Sequence, residues 1–82
     1  MKVKVLLFAL FREIAGQKEI EMEIEPGVTV ALLQERLREA FPRLGDYEPL
    51  VAVNGKYAGA QDVLGQGDEV ALLPPFSGGC SD

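Results

Sequence analysis

The residues best suited to chemistry stand near the end of the chain, in Pro74-Pro75-Phe76-Ser77-Gly78-Gly79, with Cys80-Ser81-Asp82 after them. Two prolines fix φ and donate no ladder hydrogen bond, so they stop a strand and hold its exit extended. Gly-Gly adds no side chain, and such a backbone is slim enough to enter a narrow slot on another protein. The arrangement suits the presentation of a glycyl carboxylate inside a partner, with the stiff Pro-Pro neck limiting the entropy lost on docking. A carboxylate is a poor electrophile. Adenylation with ATP on a separate enzyme would convert it to an acyl-phosphate anhydride that a sulfur nucleophile can displace, leaving a thiocarboxylate. Gly-Gly by itself is common as flexible filler; its place after a strand and a Pro-Pro exit is what gives it weight.

The remainder of the chain offers no catalytic set. Histidine is absent and Cys80 is the lone cysteine. There is then no ordinary general base, no Ser–His pair, no internal disulfide and no Cys-based metal site. Neither a bound metal nor a bound cofactor is expected, and any ATP would be used by a partner. A formal net charge of −5 argues against nucleic acid, whose phosphates call for clustered Lys and Arg. No apolar run approaches the roughly 18 residues of a membrane span, and the N-terminus lacks a signal-peptide layout. A cytoplasmic location is the expectation. Eighty-two residues with 48% apolar and 26% charged content fit a single small globular domain with its own core. Its expected extent is 1–76, with a flexible tail over 77–82.

The elements that must position the tail are legible from periodicity. Lys2 to Leu10 reads as a strand with Val3, Val5, Leu7 and Ala9 on one face and Lys2, Lys4, Leu6, Phe8 and Leu10 on the other. Being apolar on both faces past Lys4, it belongs at the centre of a sheet. Phe11 to Gly16 reads as a connector. From Lys18 to Glu25, Ile20, Met22 and Ile24 alternate with four glutamates, the pattern of a half-buried strand ended by Pro26-Gly27. One face-matched hairpin register pairs Val5 with Met22, Val3 with Ile24, Lys4 with Glu23 and Lys2 with Glu25.

Thr29 is placed to cap a helix that stops before Pro42, with Val30, Leu33, Leu37 and Ala40/Phe41 on its apolar stripe. Arg43 to Pro49 reads as loop and Leu50 to Val53 as a short strand. Asn54-Gly55 is a two-residue hairpin signal, with Lys56-Tyr57-Ala58 as the return. Asp62 to Leu64 fits a single helical turn, and Gly65 to Asp68 turns into a last strand running through Leu73. The order ββαββ, with one helix over one sheet face, is the α+β roll called the β-grasp, or ubiquitin-like, architecture. In that layout the first and last strands lie parallel at the centre. The face away from the helix then carries Leu6, Phe8, Ala71 and Leu73, leading toward Phe76. Such an apolar strip on a small open face marks a partner site.

Several blocks together resemble the small, sulfur-carrier subunit of molybdopterin synthase (MoaD-type, of the ThiS/MoaD ubiquitin-like family). They are Phe8-Ala9 with Arg12-Glu13 and Gly16, Val51-Ala52-Val53-Asn54, Gly67-Asp68-Glu69-Val70-Ala71, and Pro74-Pro75-Phe76-Ser77-Gly78-Gly79. The resemblance spans nearly the whole chain. It implies a cytoplasmic β-grasp protein whose terminal glycine is adenylated by an E1-like (MoeB-type) enzyme and thiocarboxylated. In a heterotetramer with the large (MoaE-type) synthase subunit, the tail would donate sulfur to the pterin precursor to make the dithiolene of molybdopterin. By position Gly79 is then the acyl group, Gly78 the spacer, and Pro74, Pro75 and Phe76 the neck at the partner's entrance. Phe76 stands where the family has a smaller aliphatic residue.

Cys80-Ser81-Asp82 departs from the family pattern, because only a free Gly79 carboxylate can be adenylated. Three readings are open: a precursor trimmed after Gly79, a paralogue whose tail is unused, and attack of Cys80 on the Gly79 carbonyl by an N-to-S acyl shift. The wider alternatives are sulfur delivery in another pathway (tRNA thiolation or thiamine), conjugation to protein lysines, and a non-catalytic ubiquitin-like binding module.

Overall fold

The computed structural model describes residues 1–74. The expectations for Pro75, Phe76, Gly78, Gly79 and Cys80, and for a boundary at 76/77, lie outside the described residues. The elements are β1 (Lys2–Leu7), α1 (Leu10–Ala15), β2 (Glu19–Glu23), α2 (Val30–Ala40), a 3₁₀ turn (Pro42–Asp46), β3 (Leu50–Val53), β4 (Lys56–Tyr57) and β5 (Glu69–Leu73). They form one five-stranded sheet in the order β2-β1-β5-β3-β4. β1 and β5 are parallel at its centre, and the other pairs are antiparallel. The doubly apolar strands thus occupy the centre of the sheet, as their pattern predicts. The β-grasp expectation holds.

α2 covers one face. Thr29 is extended (φ −93°, ψ 168°), and its hydroxyl accepts from the Leu32 N–H at 3.3 Å. The Val30 and Ala31 N–H groups donate to the carbonyls of Asp62 and Ala60, both at 3.0 Å. Donors that a helix N-terminus leaves without partners are so satisfied by the cap and by a distant loop. Val30, Leu33 and Leu37 are buried, as their spacing predicts, against Val3, Val5, Leu7, Val70 and Leu72 of the central strands. Asn54 and Gly55 both take left-handed φ (54° and 87°), which fits a type I′ hairpin turn between β3 and β4.

Four local expectations are corrected. β1 stops at Leu7 rather than Leu10: Ala9 turns the chain with φ 50°, ψ −120°, and the presumed connector coils into α1. This carries Phe11 into the core, fully buried and edge-to-face with Tyr47 at 6.1 Å and 79°. The apolar run from Leu6 to Phe11 has no period that separates strand from helix, and tertiary burial of Phe11 decides.

The hairpin register differs by two residues, with Val5 opposite Ile20, Val3 opposite Met22, Lys4 opposite Glu21 and Lys2 opposite Glu23. A shift of two leaves every side chain on its face, so alternation could not choose between the registers. α1 sets how soon β2 begins, and the Leu7 N–H reaches the Lys18 carbonyl at 2.9 Å. The cross-strand Lys–Glu neighbours do not close into ion pairs. Those among the described residues are the Met1 ammonium with Glu23 (3.6 Å) and Arg36 with Glu25 (2.6 Å).

The stretch read as loop after Pro42 contains the 3₁₀ turn, which buries Leu44. The helical turn expected at Asp62–Leu64 is absent. Val63 instead bridges Thr29 antiparallel, and the Leu64 N–H donates to the Val28 carbonyl at 2.9 Å. Leu64 is buried as expected, by this different route.

Candidate functional site

The sheet register sorts the face away from α2 into two halves. Cross-strand partners share a face, so Leu6, Ala71, Ala52 and Tyr57 form one row across β1, β5, β3 and β4. Leu73 lies beside Leu50 in the next row, and Phe8 follows β1 at the same end. At the other end Lys4 lies between Glu21 and Glu69, and Lys2 beside Glu23. The open face is therefore charged at the end where β5 starts and mostly apolar at the end where it finishes, with Glu19 beside Leu6 on the β2 edge. Pro74 continues directly from that apolar end.

Of the sequence-predicted face residues, the register places Leu6 beside Ala71 and Leu73 in the next row, while Phe8 follows Leu7 just past β1 and Pro74 follows Leu73. Phe8 is 42% exposed, a large apolar ring that the isolated fold leaves available. Three further members were missed. Leu50 (45% exposed) and Tyr57 (77% exposed) extend the surface toward the β4 edge, and Ala52 connects them. Their signal existed only in non-local form. Once β3 is known to pair antiparallel with β5, Leu50 and Ala52 fall beside Leu73 and Ala71. Nothing local to 50–57 announces that neighbour.

The start of β5 is locked to the β3–β4 turn. The Asn54 Nδ2 donates to Asp68 Oδ1 at 2.9 Å, and Asn54 Oδ1 accepts from the Glu69 N–H at 3.0 Å. The Asn54 N–H donates to the Glu69 carbonyl at 2.8 Å, and the second Asp68 oxygen accepts from the Gly65 N–H at 2.7 Å. Two separate sequence blocks, Val51–Asn54 and Gly67–Ala71, meet in this cluster. It anchors the start of β5 against β3, in the register where Leu73 lies beside Leu50.

Among the described residues no polar or charged side chain is buried. The perturbed ionisable groups are one exposed pair. Arg36 hydrogen-bonds Glu25 through both guanidinium NH groups (3.0 and 2.6 Å) and holds its carboxyl below the ordinary range, while the carboxylate raises Arg36. That pair ties the turn after β2 to α2, away from the apolar rows. What the described fold offers to chemistry is a surface and a launching point.

A central parallel pair, one helix across one face and an open face ending at a C-terminal strand define a β-grasp protein of the ubiquitin-like type. The ThiS family model matches residues 5–79, and the chain belongs to that family. A molybdopterin synthase sulfur carrier subunit of Mycobacterium tuberculosis (strain ATCC 25618 / H37Rv) is 40% identical over 82 residues, covering 96% of this chain and 99% of that one. Small archaeal modifier protein 1 of Haloferax volcanii is 35% identical over 83 residues, covering 89% of this chain and 95% of that one. The crystal structure of SAMP1 from Haloferax volcanii superposes with a TM-score of 0.84 at 29% identity, covering 96% of this chain and 100% of that one.

Proposed function

We propose that this protein is the sulfur carrier of a molybdopterin synthase. The supporting observation is the apolar end of the open face, from which β5 runs through Pro74 toward Gly78-Gly79, in a chain so close to a named sulfur carrier subunit. Leu6, Phe8, Ala71 and Leu73, with Leu50 and Tyr57, dock on the large synthase subunit, while Pro74, Pro75 and Phe76 line up at its entrance. Burial of such a face is the usual driving force for a stable pair. The tail then reaches the partner's active site, and the partners supply every catalytic group.

The reaction needs a free Gly79 carboxylate, so hydrolysis of the Gly79–Cys80 peptide bond comes first. The carboxylate attacks the α-phosphate of ATP on a MoeB-type enzyme, expelling pyrophosphate and forming the acyl adenylate. Hydrosulfide adds to the carbonyl, AMP leaves and the thiol proton goes to solvent, which gives the thiocarboxylate. The thiocarboxylate carries the sulfur to the pterin in the cytoplasm, and no cofactor stays bound to the carrier.

Intact mass of the protein taken from its own cells during cofactor synthesis tests this. The expected species lacks Cys-Ser-Asp and has one oxygen replaced by sulfur. Only the full-length, unmodified chain under those conditions would rule the reading out. Deleting Gly79 onward is expected to abolish sulfur transfer and to leave docking intact, measured by turnover and by titration of the large subunit.

A second reading, conjugation of Gly79 to protein lysines, is favoured by the similarity to small archaeal modifier protein 1. It uses the same trimmed and adenylated tail. Isopeptide-linked adducts ending in Gly79, in place of the thiocarboxylate, are its signature.

A further inference from the structure

Ala9 and Asn54 are the non-glycine residues with left-handed φ among the described ones. For Asn54 the conformation is supported by its own side chain, which bonds Asp68 and Glu69. Ala9 has no such means: a methyl group makes no hydrogen bond, and it caps α1 with none. Its φ 50°, ψ −120° match the first central residue of a type II′ turn, where glycine is the ordinary choice. The turn is closed by the Phe11 N–H donating to the Phe8 carbonyl at 3.0 Å, and α1 starts from it with the Glu13 N–H on the Ala9 carbonyl at 3.2 Å. A strained residue persists only where its surroundings over-determine it. Here the surroundings are Leu7 and Phe11, both in the core. With both neighbours anchored, Phe8 between Leu7 and Ala9 is left on the outside, 42% exposed.

We propose that Ala9 is a positioning residue for docking, its left-handed backbone fixing Phe8 on the open face before a partner arrives. Right-handed backbone at residue 9 would redirect the chain, so that the burial of Phe11 and the exposure of Phe8 could not both be kept. Glycine would accept the same dihedrals and many others, which loosens the turn without breaking it. L-Alanine disfavours positive φ, and the anchored Leu7 and Phe11 hold residue 9 there against that preference, in a well narrower than glycine would have. The ring of Phe8 then docks with part of its ordering already done. The docking half of this inference rests on the large-subunit partner proposed above.

Two variants of the full-length chain separate this role from simple stability. Ala9→Gly removes the restriction. Replacement of Ala9 by D-alanine, made by chemical synthesis, keeps a Cβ and favours positive φ. The readouts are the order parameters of Phe8 by NMR, the thermal midpoint, and the affinity for the large synthase subunit. Ala9→Gly is expected to lower the order of Phe8 and to weaken docking about two- to ten-fold, the cost of ordering one side chain, with no fall in midpoint. The D-alanine protein is expected to keep Phe8 ordered and docking at the wild-type level, with a raised midpoint. Unchanged Phe8 order in Ala9→Gly, or equal loosening in the D-alanine protein, overturns the inference. Should the wild-type chain fail to bind the large subunit, the partner reading falls, and the Phe8 order parameters still decide what Ala9 does.

Discussion

Glu25 and Arg36 show what one pair of residues contributes here. Their two hydrogen bonds are short, both side chains reach water, and exposed pairs add little to stability. The sign of the pH effect is nevertheless fixed. The folded state holds the Glu25 carboxyl below its ordinary value of 4.5. Its contribution is complete above that value and is lost as pH falls through the folded one. Arg36, raised by the same hydrogen bonds, stays charged throughout. Denaturation of wild type and Glu25→Gln at neutral pH and near pH 3 is expected to show a small wild-type advantage that disappears in acid. Alternation assigned Glu25 to an acidic outer face. Its link to Arg36, eleven residues on, appeared only when the Pro26-Gly27 turn brought α2 alongside.

At the level of elements, α2 was legible because its stripe, its cap and the stop before Pro42 are all local. Thr29→Ala removes the hydroxyl that accepts from Leu32, and is expected to cost about 1 kcal/mol in chemical denaturation, with faster amide exchange at Leu32. Val30 and Ala31, whose N–H groups are held by Asp62 and Ala60, should keep most of their protection. α1 was not legible. Its six residues are too few to stand without tertiary support, and Phe11 is what they deliver to the core. The same limit explains the 3₁₀ turn that buries Leu44 and the bridge at Val63. Each is a short segment held by what it packs on or pairs with, not by its own period.

At the level of the whole molecule, the open face is divided along the length of β5. The charged end, with Glu21, Glu23 and Glu69, lies where β5 starts, and Leu73 finishes β5 beside Leu50 at the mostly apolar end, where Glu19 neighbours Leu6 on the β2 edge. Phe8→Glu and Leu50→Asp each place a charge inside the apolar rows, with no core side chain disturbed, since both residues are exposed. Each is expected to weaken binding of the large subunit at least about ten-fold, as loss of a central apolar contact does, with the thermal midpoint nearly unchanged. Glu23→Gln, at the charged end, should alter the salt dependence of the association rate more than the affinity. Titration calorimetry and stopped-flow binding at two ionic strengths distinguish these outcomes. Unaltered binding by Leu50→Asp would confine the docking face to β1 and β5.

By itself the sequence determined which faces are apolar, which strands are central and where the main helix lies. Those properties follow from local composition and from periods of 2 and 3.6, which a single chain carries openly. Only the tertiary structure decided the register of β1 on β2, because a two-residue shift preserves every face. It likewise decided the burial of Phe11, the locking of Asn54 to Asp68 and Glu69, and the joining of Leu50 and Tyr57 to Leu73. Each of these depends on a neighbour distant in sequence. The apolar part of the open face is therefore wider than the residues the pattern offered, and the turn at Ala9 is one that no periodicity could announce.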